Sequence, residues 1–239
     1  MPTVSSQAEL QQRLDTVRAR IAEAAHAAGR DPASITLIAV SKTQSAQSIR
    51  ALAALGQRDF GENYLQEALG KINELRELGF CWHFIGQLQT NKTRSVAENF
   101  DWVHTIDRAK VAERLSAQRP FHAPALQVCI QVKLAEEETK GGCTPQELPE
   151  LVSLVASLPK LQLRGLMAVP PATDDPAQQR QWFKHLHDLM LALQADYPSI
   201  NVLSMGMSED LEAAIREGST HIRVGTALFG ARQRLQSNP

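Results

Sequence analysis

The pattern of apolar and polar positions changes character near residue 35. Before it, Leu10, Leu14, Val17 and Ile21 recur at steps of four, three and four, one face of a 3.6-residue repeat. This predicts a helix from about Ser6 to Gly29, stopped by that glycine and by the turn-forming Asp31-Pro32. After it, short apolar runs alternate with longer amphipathic ones. The runs are residues 35–40, 59–64, 82–86, 102–107, 126–132, 163–169, 202–207 and 221–229. Amphipathic stretches such as 48–56, 109–118, 148–158, 178–194 and 209–218 lie between them. Strands alternating with helices imply a parallel sheet covered by helices. Eight such repeats in about 200 residues predict an α/β fold, a (β/α)8 TIM barrel. A doubly wound open sheet is the rival, but it carries a Gly-rich first turn, and SKTQSAQS follows the first strand here. No Pro-, Gly- or Ser-rich linker divides the chain, so residues 1–239 are expected to form one domain.

Composition narrows the class. The 239 residues are 43% hydrophobic and 21% charged, which excludes wholesale disorder. A net charge of −1 argues against a nucleic-acid partner, which needs clustered Lys and Arg to neutralise phosphates. No apolar stretch reaches 18 residues and the N-terminus is polar, so neither a membrane partner nor a signal peptide is expected. Cys81, Cys129 and Cys143 are odd in number and widely spaced. They suggest neither a disulfide framework nor a metal site, and fit a reducing, cytoplasmic setting.

Barrel sites form at the C-terminal ends of strands, and this selects the candidates. Lys42 stands just past the first apolar run. It is either a solvated head on a snorkelling stem or a half-buried amine able to lose its proton and form a Schiff base. Ser208 is a helix N-cap or a phosphate ligand at a helix start, with Glu209 and Asp210 opposing an anion. Gly225 and Thr226 follow HIRV within the eighth run, where phosphate sites are common; a simple strand-ending glycine explains Gly225 equally well. Alternation places His221, Arg223 and Gly225 on one strand face. An inward arginine is costly unless paired. It is expected either near Lys42, lowering that lysine's pKa, or in an ion pair with Glu62. Asn63 is polar late in strand two, and His83 in strand three reads as a core residue or a catalyst. Met167, Met205 and Met207 read as core filler or soft lining. The segments 133–143 and 170–179 read as lids or as plain loops.

Taken together, LIAVSKTQ, FGENYLQE, WHFIGQLQTNK, HTIDR, LRGLMAVPP and LSMGMSEDLEAAIREGSTHIRVGTALFGAR resemble the pyridoxal phosphate homeostasis proteins. The resemblance runs from about residue 8 to Arg232. It implies a single-domain barrel like the N-terminal domain of alanine racemases, with an extra N-terminal helix. It implies pyridoxal 5′-phosphate (PLP) held as an aldimine on Lys42, with Arg223 facing the pyridine nitrogen and Asn63 near the cofactor. Ser208, Gly225 and Thr226 would hold the phosphate. The implied role is in PLP (vitamin B6) homeostasis and amino-acid balance without catalytic turnover. PLP-dependent apo-enzymes are then the expected recipients, and a monomer the expected state. One departure is Gln87, where the family commonly has proline. A PLP-dependent amino-acid racemase is the rival reading. It needs two acid/base groups, of which Lys42 is one. In alanine racemases the other is a tyrosine from a second domain, which a chain ending at Pro239 is expected to lack, leaving Tyr64 and Tyr197. A cofactor-free Schiff-base aldolase would use Lys42 but leave Arg223 and the phosphate motifs unexplained.

Overall fold

Ser6 opens the first helix, α1 (Gln7–Ala27), through a reciprocal cap. Its hydroxyl accepts from the Glu9 N–H at 3.2 Å, and the Glu9 carboxylate accepts from the Ser6 N–H at 3.1 Å. Leu10, Leu14, Val17 and Ile21 form the buried face that their spacing predicts, extended by Ala24 and Ala25. The computed structural model describes residues 6–135 and 141–230. After α1 the chain runs β1 (Thr36–Val40), α2 (Ala46–Ala54), β2 (Asp59–Glu62), α3 (Leu65–Glu74), β3 (Cys81–Phe84) and α4 (Thr93–Asn99). It continues through β4 (Trp102–Ile106), α5 (Ala109–Gln118), β5 (Leu126–Gln131), α6 (Leu148–Ser157), β6 (Leu161–Met167) and α7 (Pro176–Gln194). It ends with β7 (Val202–Ser204), α8 (Leu211–Arg216), β8 (His221–Val224) and α9 (Thr226–Phe229). The strands pair in chain order, all parallel, and β8 closes on β1. The fold is the expected (β/α)8 barrel with a helix before it. Among the described residues no helix is long and apolar enough to cross a membrane.

The strands are buried on both faces, and alternation sorts their residues into two environments. The outward set, including Phe60, Trp82, Phe84, Val103, Val128, Leu203 and Val224, packs with the helices in one large apolar cluster. Burying each such side chain contributes about 1.5–3 kcal/mol, so this outer layer supplies most of the apolar stabilisation. The inward set is different. Cys129, Met167 and Val202 make a small apolar cluster, and beside it His83, His104, Ser204 and Arg223 are joined by hydrogen bonds across the ring.

Two strand ends differ most from the sequence expectation. The eighth strand stops at Val224, and Thr226–Phe229 is a helical turn whose first carbonyl, Gly225, accepts from Leu228 and Phe229 at 3.0 and 2.9 Å. The seventh stops at Ser204 because Gly206 turns the chain at φ 93°. A Cβ there would stand 2.5 Å from the Ala214 Cβ. Ser208 therefore lies in the loop beyond β7, and Asp210, not Ser208, holds the N-cap position of α8, its carboxylate accepting from the Met207 N–H rather than from the helix. The N-terminal helix fixes this loop. Arg20 forks onto the Glu212 carboxylate at 2.7 and 3.0 Å, and its Nη2 also donates to the Ser208 carbonyl at 2.8 Å.

Candidate functional site

Lys42 sits at the corner of a β-turn just beyond β1. The Gln44 N–H donates to the Ser41 carbonyl at 3.0 Å, and Thr43 takes the left-handed position with φ 66°. A β-branched residue there carries strain on the order of 1–3 kcal/mol, so the turn persists only because it is gripped from outside. The Ser41 N–H donates to the Gly61 carbonyl at 2.9 Å, and the Thr43 N–H to the Glu67 carboxylate at 2.6 Å. Lys71, from α3, points its three N–H bonds at the Ser41 carbonyl (2.7 Å), Glu62 Oε1 (2.8 Å) and Glu67 Oε1 (2.5 Å). Glu62 also accepts from the Ser41 hydroxyl at 2.6 Å. The Lys71 and Glu62 side chains are 7% and 0% exposed. Burial pushes the Glu62 carboxyl up, and Lys71 pulls it back. The backbone on both sides of Lys42 is thus held rigidly from behind, while Lys42 itself is half-buried at the C-terminal rim.

The closing seam brings β8 alongside. Arg223 pairs with Ile38 and Val224 with Ala39. One step on, an ideal Cβ at Gly225 would lie 3.3 Å from the Val40 carbonyl and 3.4 Å from its Cβ, so the glycine keeps this approach close. Arg223 points inward and is 4% exposed. It donates to Ser204 Oγ at 2.7 Å and to the Ala168 carbonyl at 3.0 Å. Burial lowers its pKa to about 10, so it remains a cation at neutral pH. The expected ion pair with Glu62 is not formed. Glu62 shares the outward face of β2 with Phe60 and meets Lys71 there, while Arg223 faces the barrel interior.

Behind Arg223 runs a chain of polar side chains. Ser204 Oγ lies 2.8 Å from His104 Nδ1, His104 Nε2 lies 3.0 Å from His83 Nδ1, and His83 Nε2 lies 3.1 Å from Asp59 Oδ1. Burial, reinforced by the neighbouring His83, His221 and Arg223, holds His104 well below its usual range. His83, 1% exposed, belongs to this chain on the N-terminal side of Arg223 rather than to the rim.

The remaining candidates lie at the rim. Asn63 follows β2, and its Oδ1 is buried with no hydrogen-bond partner among the described residues. Its backbone is pressed onto Gly86, where a Cβ would meet the Asn63 carbonyl oxygen at 2.2 Å. Thr226 is exposed and opens α9, whose leading N–H groups have no intrahelical acceptor. Ser208 is half-buried in the loop after β7. Gln87 lies near Gly141: a Cβ on that glycine would stand 3.8 Å from the Gln87 amide nitrogen. Part of the 133–143 segment, residues 136–140, lies outside the described residues. Sequence reasoning missed Lys71 and Glu67 altogether. Their i,i+4 spacing reads as an ordinary solvated helix pair, and nothing in that spacing marks the pair as buried. His104 and Ser204 were missed as well.

The alanine racemase N-terminal domain family matches residues 12–233. The pyridoxal phosphate homeostasis protein of Pseudomonas aeruginosa is 57% identical over 216 residues, which are 90% of this chain and 93% of that protein. The solved structure of PipY from Synechococcus elongatus with PLP bound is 38% identical, with a TM-score of 0.82 over 92% of this chain and 100% of that one. Alanine racemase from Corynebacterium glutamicum is 17% identical, with a TM-score of 0.67 over 94% of this chain and 64% of that one; this likeness is one of fold.

Proposed function

The chain belongs to the alanine racemase N-terminal domain family and, within it, to the pyridoxal phosphate homeostasis proteins, and from this premise we propose that it binds PLP at the C-terminal rim of its barrel and serves PLP supply without turning over substrate. The observation that supports this reading is the β1–β8 closure, which brings Gly225, two residues past Arg223, against Val40, two residues before the gripped Lys42. The residues suit the cofactor. Lys42 offers an amine for its aldehyde, held as a covalent aldimine. Arg223 offers a fixed cation to the pyridine nitrogen. Ser208, Thr226 and the backbone at Gly225 offer donors to the phosphate, and the partnerless Asn63 Oδ1 offers an acceptor.

When bound, PLP supplies an aldehyde that condenses with amines and a ring that accepts electron density. An arginine stays charged and cannot hand a proton to the ring nitrogen, which keeps the ring a weak electron sink. That favours a store or carrier, acting as a single chain and passing PLP to apo-enzymes, over the racemase reading, which needs a second acid/base group.

The test is to reduce the purified yellow protein with borohydride, map the pyridoxyl peptide, and follow L- and D-alanine by chiral chromatography before reduction. The label is expected on Lys42, with no enantiomer exchange near an enzyme's rate of about 1–10³ s⁻¹. Label chiefly on Lys92 or Lys133 overturns the lysine assignment. Turnover abolished by Lys42→Ala overturns the non-catalytic one.

A further inference from the structure

At the N-terminal end of the barrel, opposite the rim that carries Lys42, three potential ligands converge. Asp59 and Cys81 are the first residues of β2 and β3 and face each other across the ladder. His83 is two residues beyond Cys81, so strand alternation turns both to the interior. The carboxylate oxygen of Asp59, Sγ of Cys81 and Nε2 of His83 all lie within 4.8 Å of one another. Two light-atom ligands of a tetrahedral zinc ion stand about 3.3 Å apart. The Asp59 Oδ1 to His83 Nε2 separation is 3.1 Å, so this edge needs no backbone movement to share one ion. We propose that Asp59, Cys81 and His83 form a site for one thiophilic divalent cation of the zinc class, independent of the cofactor rim and of the function proposed for it.

The surroundings favour that class of ion. Asp59, 32% exposed, borders an opening of about 440 Å³, and Cys81 is partly exposed, so two of the three ligands meet solvent. Arg18 and Arg58 line the same opening. They disfavour a hard cation held by charge alone and leave the advantage to an ion that bonds to sulfur. Burial, and then Asp59 and Asp101, keep the Cys81 thiol protonated. An entering ion takes the thiolate and releases that proton to solvent, and its charge removes the repulsion between thiolate and carboxylates.

The outer partners are already placed. A metal-bound histidine characteristically donates its second ring N–H to a fixed acceptor, and His83 Nδ1 has His104 Nε2 at 3.0 Å. Without an ion, Asp59 accepts from the His83 Nε2–H. With its one proton on Nε2, His83 would accept at Nδ1 from the His104 Nε2–H, and His104 at Nδ1 from the Ser204 hydroxyl. An ion on His83 Nε2 reverses the order. The His83 Nδ1–H donates to His104, the His104 Nδ1–H donates to Ser204 Oγ, and Ser204 accepts from both His104 and Arg223. Each ring keeps one proton in either state.

The experiment titrates chelator-stripped holo-protein with Co²⁺. Tetrahedral ligand-field bands should appear in the red, where PLP does not absorb, saturate at one ion per chain, and vanish on adding Zn²⁺. Cys81→Ser should remove the thiolate charge-transfer band. Cys81→Ser and Asp59→Asn should each weaken Co²⁺ at least about tenfold, the smallest loss seen even for outer-shell changes. Equal affinity in wild type and both variants, or weak octahedral bands alone, overturns the site. A second readout does not depend on variants. Zn²⁺ added to ¹⁵N-labelled protein should move the His83 proton from Nε2 to Nδ1, and an unchanged tautomer at saturating Zn²⁺ overturns the proposal. The same titration in Lys42→Ala keeps its outcome separate from that of PLP binding.

Discussion

A single side chain, Lys71, carries more of the site's geometry than any of the residues that stand out in the sequence. Its three hydrogen bonds are all made, to one carbonyl and two carboxylates, and its pair with Glu62 lies in a nearly water-free space. Removing one partner of such a buried pair typically costs about 3–5 kcal/mol, because the other charge is left without compensation. Lys71→Met should therefore lower stability by that amount in urea unfolding. Adding Glu62→Gln should recover more than half, since the stranded carboxylate is then gone. PLP retention should fall in Lys71→Met although Lys42 is intact, because the Ser41 carbonyl and the Glu67 carboxylate lose their anchor. A loss within ordinary surface-pair range, below about 1 kcal/mol, would mean the clamp is not what holds the turn.

At the scale of elements, the eight strands and the leading helix are legible because each is a run of the right period bounded by turn residues. What the pattern hides is where a strand is interrupted by backbone contact. In β6, Val128 pairs with Leu163 but Cys129 pairs with Gly165, so Arg164 is an extra residue. It is held by the Gln127 side chain at 3.0 Å and the Asn201 side chain at 3.2 Å. Leu163 and Leu166 consequently both pack outward with the helices, which no strict alternation of the sequence gives. Gly165 belongs to the same irregularity. A Cβ there would lie 1.8 Å from the Val202 carbonyl oxygen, a backbone atom of the next strand. At Gly61 a Cβ would instead meet Ile38 Cγ2 at 2.9 Å and Ile85 Cδ1 at 3.0 Å, which are side-chain ends able to shift. Overpacking in a core costs about 1–3 kcal/mol. Gly165→Ala should reach or exceed the top of that range and Gly61→Ala stay near the bottom, by urea unfolding. Equal losses would show that the β6–β7 seam can open without penalty.

For the whole molecule, the rim was legible and the interior was not. Lys42 follows the first apolar run and Asn63 and Gly225 lie within the second and eighth, so all three can be placed on strand segments from local sequence. The interior chain joins residues far apart, such as His104 and Ser204, and only closure of the ring brings them together. Asp59 and Cys81 meet through the β2–β3 register, which local sequence does not give. A polar barrel interior has a consequence for acid stability. His221 is 9% exposed on β8, with His83, His104, Asp59, Arg164 and Arg223 as charged or titratable neighbours. Burial, followed by His83 and the two arginines and only partly offset by Asp59, lowers its pKa from 6.5 to about 3. The folded state thus keeps it neutral, while the unfolded chain takes up a proton below pH 6.5. Its contribution is complete above that pH and is lost as the pH falls toward 3. At about 1.4 kcal/mol per pH unit, the loss between pH 7 and 5 is about 2 kcal/mol from this residue. Urea unfolding at the two pH values should show that His221→Gln loses less stability than wild type, by about that difference. An identical pH dependence in both proteins would mean that His221 is protonated in the fold, and that the barrel interior is wetter than its burial implies.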